Sequence, residues 1–370
     1  MKKILLLILF FALLFSAGGC GNSKDTDLSG YIRNYDVNGG ENMNKGTDII
    51  TLDDNVINLE NGLSAVKYEG NYGFDEFIDQ GGAVSDAEVI GFLSENILSA
   101  EGLSFGEFPF GCSTVSVKDP DGSFIFGRNF DWENCNAMIV QSVPENGYAS
   151  IFTVNTDFIS VSGLKLPKLP DKAQSVICLY APLDGMNEKG LAVSVNMIQD
   201  AATISQNSDK PDITTTTAIR LLLDKAADVD EALELLEQYD MHASIGYMTH
   251  LALADAKGRS VAVEYINNEM VVVETPIVTN FYLAEGDKYG IGTKQSHERY
   301  DILESFLSEN KTAGMEAVSK ALDSVSKDNF NEFESTEWSI VFDQGTGEVH
   351  YFHRENYENK YVFTVKRECV

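Results

Sequence analysis

Basic residues are scarce in this chain. Its 370 residues include 27 lysines and arginines against 57 aspartates and glutamates, so the formal net charge is −30 at pH 7. A surface of this charge repels the phosphates of nucleic acids and the headgroups of anionic lipids. We therefore expect no nucleic-acid partner and no membrane binding through charge.

Histidine and cysteine are also rare, with five residues of each kind. No cysteines have the spacing of a zinc site. His350 and His353 lie on a predicted strand at odd spacing, so their side chains point to opposite faces and cannot easily share a metal. No sequence feature places any of the other three beside a cysteine, so a cysteine–histidine protease has little support: His242, His250 and His297. We expect neither a metal nor a cofactor.

The beginning of the chain has no apolar run as long as the about 20 residues of a membrane span. Two lysines precede a shorter apolar run from Ile4 to Phe15, and small residues then lead to Cys20. This order predicts a secretory signal over residues 1–19. Cys20 resembles a bacterial lipoprotein cleavage site, although Ala17 stands where that motif usually has leucine. A lipid anchor at Cys20 on the outer face of the membrane and plain secretion are the two alternatives.

Two further segments precede position 112. Residues 20–50 are rich in Gly, Asn, Asp and Ser and predict a flexible tether. A capping box at residues 85–88 is followed by apolar residues at helical spacing. Residues 51–111 therefore predict a short helical pro-segment or small subunit. It is too short for a core of its own and should stay packed on the main domain.

Residues 112–370 are long enough for one domain with strands and helices. Apolar runs lie around residues 138–143, 149–154, 176–180 and 190–196. Helices are predicted at residues 217–223, 229–239 and 296–325, and further strands at residues 247–254, 260–266, 338–342, 349–353 and 361–365. Strand blocks that alternate with helix pairs suit two sheets between helix layers, although other α+β folds have the same pattern.

A hairpin signal opens this domain. Two apolar-rich runs flank residues 119–122, whose sequence is Asp-Pro-Asp-Gly. Proline at the second position and glycine at the fourth suit a type I turn closed by a glycine bulge.

The turn predicts which residues face each other. If Asp119 pairs with Ser123, Cys112 lies opposite Phe130. Arg128 is then diagonal to Cys112 on the same face, and Asp131 lies opposite the residue before the cysteine. A thiol, a guanidinium and a carboxylate would meet at one end of the hairpin, unless the register shifts by one residue.

These residues carry a family resemblance. Cys112-Ser113-Thr114-Val115, a turn with glycine, and then Gly-Arg-Asn-aromatic-Asp resemble the start of the choloylglycine hydrolase family. That family includes bile salt hydrolases and penicillin V acylases, with acid ceramidase and N-acylethanolamine acid amidase as relatives. In these N-terminal nucleophile amidases, a cysteine exposed by cleavage attacks a linear carbon–nitrogen amide bond. The resemblance implies an α+β fold, the four-layer αββα sandwich, here preceded by the pro-segment.

The resemblance also implies a cleavage between Gly111 and Cys112, which would make Cys112 the nucleophile. The long segment before Cys112 differs from bile salt hydrolases and is closer to acid ceramidase-like precursors, which cleave themselves. Arg128 matches the arginine beside the thiol, where a cation favours thiolate. Asp131 matches the aspartate that holds the free amine.

Three later residues are implied in the same way. Asn196 resembles the family asparagine at the oxyanion hole, and Asn280 resembles the second, whose side-chain amide donates to the oxyanion. Arg299 resembles the late arginine of the site. No metal site is implied.

Amide chemistry explains why such a set is needed. An amide requires a strong nucleophile, a base, donors for the oxyanion and an acid for the leaving amine. A thiol with a pKa of about 8.5 is mostly protonated at neutral pH, whereas a free α-amine has a pKa of about 7.7–8.0. The amine freed on Cys112 can accept the thiol proton and later deliver it to the leaving nitrogen. Gly111 suits the residue before the cut because glycine tolerates strained backbone.

Each assignment has a structural alternative. Cys112 could be an ordinary buried or disulfide-bonded cysteine, and Arg128 and Asp131 could simply pair with each other. The two asparagines could be turn or strand-end residues, and Arg299 a surface ion pair. The remaining cysteines are odd in number, and nothing in the sequence selects a disulfide among them: Cys135, Cys178 and Cys369.

The sequence thus predicts an exported, self-cleaving cysteine amidase. Its substrates would be small N-acyl amides with an apolar acyl part, such as bile acid conjugates, fatty acyl amides or penicillin V. The alternatives are an acyltransferase on the same fold and a non-catalytic binding lipoprotein. The oligomeric state stays open, and a homo-oligomer is among the options.

Overall fold

The computed structural model describes residues 48–98, 102–105, 111–161, 164–327 and 334–365. The predicted signal segment, Cys20 and nearly all of the predicted tether lie outside the described residues. So do Cys369 and residues 106–110, which precede Gly111. No helix in the described ranges is both long and apolar enough to cross a membrane.

The described residues contain twenty strands. In chain order they are β1 (Ile57–Glu60), β2 (Leu63–Gly70), β3 (Leu103–Phe105), β4 (Gly111–Lys118), β5 (Phe124–Trp132), β6 (Ala137–Pro144), β7 (Ser150–Asn155), β8 (Ile159–Val161), β9 (Leu164–Lys165), β10 (Asp184–Asn187), β11 (Ala192–Met197), β12 (Asp212–Thr214), β13 (Asp240–His242), β14 (Thr249–Ala254), β15 (Ser260–Ile266), β16 (Glu269–Glu274), β17 (Ile277–Val278), β18 (Ser335–Asp343), β19 (Glu348–His353) and β20 (Lys360–Thr364).

Seven α-helices lie between these strands in the same part of the chain. They are α1 (Phe74–Asp79), α2 (Asp86–Phe92), α3 (Asp171–Leu179), α4 (Thr215–Lys225), α5 (Val229–Leu236), α6 (Lys294–Glu309) and α7 (Met315–Asp323). A π-helical turn, Leu93–Leu98, continues α2, and short 3₁₀ turns occupy Thr156–Phe158, Leu166–Lys168 and Ser244–Gly246.

Two sheets form the centre of the fold. The larger has the order β1-β2-β6-β7-β10-β11-β14-β15-β16, and the smaller has the order β17-β4-β5-β18-β19-β20. Strand β4 of the smaller sheet contacts β11 of the larger one. Helices α3 and α4 pack on the larger sheet, whereas α6 and α7 pack on the smaller one. The layers are therefore helix, sheet, sheet and helix, which is the expected αββα sandwich.

The residues of each strand agree with its position in the larger sheet. Every residue of β11 and β14 is buried, as expected for strands covered on both faces. The edge strand β16 instead exposes its end residues Glu269 and Glu274, and charge on an edge strand discourages pairing with other molecules. Helix α5 is capped at its start, since Asp228 accepts a hydrogen bond of 3.0 Å from the Glu231 amide.

Three expectations about elements need correction. The apolar run at residues 176–180 ends helix α3 and is not a strand. The helix expected over residues 296–325 is two helices, separated around Gly314, which is the N-cap of α7. The segment at residues 51–111 is not only helical, because it also contributes β1 and β2 to the larger sheet. Strand β2 pairs in parallel with β6 over eight positions, and a partner so distant in sequence leaves no local signal.

Candidate active site

The β4–β5 hairpin has the predicted register. Cys112 lies opposite Phe130, and Gly111 lies opposite Asp131. The amide of Asp119 donates to the Ser123 carbonyl over 2.8 Å, which closes the turn. Gly122 in this turn has φ of +106°, a conformation that favours glycine.

Cys112 is fully buried and is held at both of its reactive groups. Its main-chain nitrogen donates to Asn280 Oδ1 over 2.9 Å. Its sulfur lies 3.2 Å from Arg128 Nη2 and 3.5 Å from the Val195 carbonyl oxygen. Cys112 is a free cysteine, so the disulfide alternative does not apply.

Arg128 is fixed by a partner that the sequence did not reveal. Its guanidinium forms an ion pair with Asp184 of β10, and both side chains are fully buried. Trp338 Nε1 donates to the same carboxylate over 2.9 Å, and the Thr153 amide donates to its other oxygen over 3.0 Å. Arg128 also donates to the Val195 carbonyl over 3.0 Å. The alternative in which Arg128 pairs with Asp131 is therefore replaced by a pair with Asp184.

Asp131 lies beside the peptide bond that joins Gly111 to Cys112. Thr336 Oγ1 donates to Asp131 Oδ1 over 2.7 Å, and Lys327 Nζ lies 3.7 Å from Oδ2. A Cβ built on Gly111 would lie 3.1 Å from both Asp131 Cβ and Lys327 Nζ. The close approach of this carboxylate therefore suits glycine at position 111. Lys327 is a second neighbour of the expected cleavage point that sequence reasoning missed.

Arg299 reaches the nucleophile from helix α6. Its Nη1 donates to the Cys112 carbonyl over 2.6 Å, and its Nη2 donates to Asn280 Oδ1 over 2.8 Å. Nη1 also lies 3.4 Å from Asp131 Oδ2. The side chain is nearly buried, so the alternative of a surface ion pair does not apply.

The two asparagines are placed differently. Asn280 contacts Cys112 through Oδ1, while its Nδ2 donates to the Met197 carbonyl over 2.7 Å. Asn196 is one residue from the Val195 carbonyl, and its Nδ2 donates to the Val278 carbonyl over 3.2 Å. Both side-chain amides thus donate to main-chain carbonyls in the uncut chain. Their oxyanion roles stay predictions.

Burial controls the state of the nucleophile before any cleavage. Burial raises the pKa of Cys112 to about 11, although Arg128 opposes this shift, and Asp131 adds to it. The sulfur is therefore a neutral thiol at neutral pH in the uncut chain. Conversion to thiolate requires a nearby base or a change in the surroundings of the site.

A cavity lies next to this cluster. Val195, whose carbonyl contacts Cys112, is part of its wall. Asp86 at the start of α2 brings the pro-segment to the same wall. The other lining residues are Asn155, Phe158, Ile159, Ala181, Leu183, Thr215, Thr216, Ser244 and Thr249. Within the described residues no group of His, Cys, Asp and Glu could hold a metal ion.

Residues 112–282 match the sequence profile of the linear amide C-N hydrolases, choloylglycine hydrolase family. The match begins at Cys112 itself, the residue that Asn280, Arg128 and Arg299 contact. Over these residues the chain is similar to the choloylglycine hydrolase family. The protein is accordingly a hydrolase that acts on linear amide carbon–nitrogen bonds.

Two of three similar solved structures, both of one enzyme, support the fold. A mutant of conjugated bile acid hydrolase from Clostridium perfringens has 17% identity and a TM-score of 0.53, covering 70% of this chain and 93% of its own. A second variant of that enzyme has 16% identity and a TM-score of 0.53, covering 70% of this chain and 94% of its own. Penicillin V acylase from Agrobacterium tumefaciens has 17% identity and a TM-score of 0.46, covering 68% of this chain and 84% of its own. No curated protein sequence matches the chain.

The choloylglycine hydrolase match contains five of the six predicted catalytic residues. Arg299 is the one that lies beyond the end of the match at residue 282. Its contact with Cys112 is seen only in the structure. Asp184 is inside the match but has no local sequence signal. A buried arginine needs a counter-charge, which predicts that such an acid exists without saying where it lies in the chain.

Proposed function

We propose that this hydrolase is exported, cuts itself between Gly111 and Cys112, and then hydrolyses N-acyl amides with an apolar acyl part. The observation that carries the proposal is the pair of contacts at Cys112. Its nitrogen is held by Asn280 and its sulfur by Arg128. A residue whose nitrogen and sulfur are both held by polar side chains suits a nucleophile that uses its own amine as the base.

Self-cleavage requires an attack on the preceding carbonyl. The Cys112 sulfur attacks the Gly111 carbonyl carbon, a carbon–sulfur bond forms, and the bond to the Cys112 nitrogen breaks. The thiol proton goes to that nitrogen. Water then hydrolyses the thioester, which leaves a carboxylate on Gly111 and restores the thiol. The positive charges of Lys327 and Arg299 lie close enough to Asp131 to offset its charge beside the reacting bond.

Substrate hydrolysis repeats this chemistry with an external amide. The freed amine of Cys112 accepts the thiol proton, and the sulfur attacks the acyl carbon. The amine then delivers the proton to the leaving nitrogen and activates the water that hydrolyses the acyl thioester. Arg128, 3.2 Å from the sulfur, favours the thiolate. Asn196 and Asn280 are the proposed oxyanion donors, which requires that their amide groups turn from the main-chain carbonyls to the substrate.

The cavity beside Val195 supports an apolar acyl group. Leu183, Ile159 and Phe158 supply apolar walls, while threonine and serine hydroxyls supply a few polar groups. Apolar walls with few polar groups are usual for small-molecule sites. We therefore propose bile acid conjugates, fatty acyl amides and penicillin V-type amides as the substrate class. The described neighbours include a conjugated bile acid hydrolase, which agrees with this class.

Export is proposed from the sequence of residues 1–20. A lipid anchor at Cys20 predicts that radiolabelled palmitate is incorporated in a bacterial host, and that Cys20→Ala removes the label. Secretion without an anchor predicts an unlabelled protein in the medium. A protein that stays in the cytoplasm with its full signal segment would contradict both alternatives.

The decisive experiment measures cleavage and turnover together. N-terminal sequencing of purified wild type should find a fragment that starts at Cys112. Glycocholate, N-dodecanoylglycine and penicillin V then form the substrate panel, with the released acid quantified. Cys112→Ala should abolish both the cut and the turnover, whereas Cys178→Ala, a change at another buried free cysteine, should preserve both. Equal turnover in wild type and Cys112→Ala would refute the site.

Product analysis separates hydrolysis from acyl transfer. With hydroxylamine present, a transferase forms mainly the hydroxamate, while a hydrolase still forms mainly the free acid. An uncut wild type that binds but turns over no member of the panel would indicate a binding protein.

A further inference from the structure

A buried ion pair lies behind the segment that carries Asn280. His250 of β14 and Glu264 of β15 are both fully buried, and His250 Nδ1 lies 3.1 Å from Glu264 Oε1. The other ring nitrogen, Nε2, lies 2.9 Å from the Thr279 carbonyl oxygen. Neither residue belongs to the catalytic set described above.

The hydrogen-bond partners determine how many protons this pair holds. A main-chain carbonyl only accepts, so Nε2 of His250 must carry a proton. The contact between Nδ1 and Glu264 needs a second proton, because without one a nitrogen lone pair and a carboxylate oxygen, both acceptors, would face each other. The Leu283 amide donates to Glu264 Oε1 over 2.8 Å, and the Ala284 amide donates to Oε2 over 3.0 Å. Two such donors favour the carboxylate, so the second proton belongs on His250.

The pKa of Glu264 agrees with this assignment. Burial alone would raise it, but the hydrogen bond and charge of His250, together with the two backbone donors, outweigh burial and lower the pKa.

The pair holds both ends of one segment. His250 binds the carbonyl of Thr279, and Glu264 binds the amides of Leu283 and Ala284. Asn280 lies between these points and accepts the hydrogen bond from the Cys112 nitrogen. A shift of the Thr279 carbonyl would therefore move the side chain that holds the proposed catalytic amine.

We propose that His250, as an imidazolium paired with Glu264, is a positioning residue that holds Asn280 against Cys112 for catalysis. This inference rests on the proposed function, because it assigns a role within that amidase site. His250 does not touch the reacting atoms and acts only through Thr279 and Asn280.

Other charged groups nearby have partners of their own. Tyr282, in the same segment, donates to Asp200 over 3.0 Å, and Asp200 is paired with Lys288 over 2.5 Å. Arg299 is directed to Cys112 and Asn280. Glu264 is thus the carboxylate in direct contact with the imidazole.

The protonation state can be measured without any substrate. In ¹⁵N-histidine-labelled full-length protein at pH 7, two-dimensional NMR should show both ring nitrogens of His250 protonated, with the signal assigned by its loss in His250→Gln. In Glu264→Gln that signal should change to a neutral tautomer. A neutral His250 in wild type would overturn the ion pair.

Kinetics then test the positioning role. With N-dodecanoylglycine as the probe, His250→Gln should lower kcat at least tenfold and change KM less than threefold, because it displaces the nucleophile and leaves the acyl cavity intact. The same change should slow the cut at Cys112. His350→Gln, at a histidine paired with Glu348 on β19, is the matched control and should equal wild type.

Two outcomes distinguish failure of the proposed function from failure of the positioning role. Wild type that cleaves no amide, with His250 still doubly protonated, would refute the proposed function. Active wild type, with His250→Gln and Glu264→Gln both unchanged in kcat, would refute the positioning role alone.

Discussion

Arg128 shows how one side chain at this site depends on another. It is fully buried and touches the Cys112 sulfur, so its charge acts on the thiol with little screening by water. The same burial would be costly without a counter-charge, which Asp184 supplies. Phe130 and Trp338 stack at 3.9 Å between centroids, and both rings lie beside the Arg128 guanidinium.

Replacing Asp184 should therefore destabilise the protein. Asp184→Asn leaves a buried, unpaired arginine, and we expect the free energy of unfolding to fall by about 3–5 kcal/mol. The variant and its parent both carry Cys112→Ala, so that neither is cut. Urea denaturation then measures the difference in their free energies of unfolding. Asp230→Asn, which removes an exposed partner of Arg259, should cost less than about 1 kcal/mol. Equal losses in the two variants would contradict this account of Arg128.

The residue before the cut is also constrained. Gly111→Val adds side-chain carbons where even a Cβ lies 3.1 Å from Asp131 Cβ and from Lys327 Nζ, so the peptide at the cleavage point must shift. We expect cleavage at Cys112 to slow more than tenfold, as measured by a gel time course after purification. Gly91→Val is the control, because a Cβ there meets no atom within 4 Å. Cleavage of Gly111→Val at the wild-type rate would show that this packing is irrelevant to the reaction.

At the scale of elements, the β4–β5 hairpin was predictable because its determinants are local. The turn at residues 119–122 is closed by hydrogen bonds between neighbours in sequence. Once the turn residues are known, alternation along the strands determines which residues face Cys112. The contact of Arg128 with the sulfur follows from that register.

The pro-segment shows the opposite case. Strand β2 inserts between β1 and β6 in the larger sheet, and α2 reaches the cavity wall through Asp86. These contacts join residues far apart in the chain, so the capping box at residues 85–88 and the helical spacing after it gave no sign of them. The segment is part of the sheet and covers part of the cavity.

This pairing predicts that the two fragments stay together after the cut. In wild type they should elute as one species in size-exclusion chromatography and separate only in denaturant. Val66→Glu should release the small fragment, because Val66 is fully buried on β2 and an unpaired charge there costs several kcal/mol. Lys67→Glu, at the more exposed neighbouring position, should leave the complex intact. Separation of the wild-type fragments in native buffer would contradict the prediction.

At the scale of the whole molecule, buried thiols link stability to pH. Burial is the largest cause that raises the pKa of Cys112, Cys135 and Cys178. The unfolded chain releases these protons near pH 9, whereas the folded chain keeps them. The contribution of these thiols to the free energy of unfolding is therefore complete below pH 9 and falls as the pH rises above 9.

The slope is measurable for one thiol. Between about pH 9.5 and pH 11, Cys178 should contribute a loss of about 1 kcal/mol in the free energy of unfolding for each pH unit. Urea denaturation of wild type and Cys178→Ala at several pH values gives the difference in slope. Cys178 suits this test because it lies in α3, away from the reacting groups, and is fully buried. Identical slopes would show that this thiol does not couple to folding.

Features that depend on neighbours along the chain could be predicted from the residues alone. The acidic charge balance is a sum over the whole chain. The turn at residues 119–122, the caps of α2 and α5, and the positions of Arg128 and Asp131 relative to Cys112 follow from residues within one helix turn or one hairpin of each other. The resemblance to a family added Asn196, Asn280 and Arg299. No rule of spacing connects these three to the hairpin.

The distant groups that complete the site became identifiable only from the folded chain. Asp184 reaches Arg128 from β10, Arg299 reaches Cys112 from α6, and the pair of His250 and Glu264 lies behind Asn280. The physical reason is burial. A charge inside the fold requires a partner, but any of many acidic or basic residues could serve. Which one does depends on how the two sheets and their helices pack.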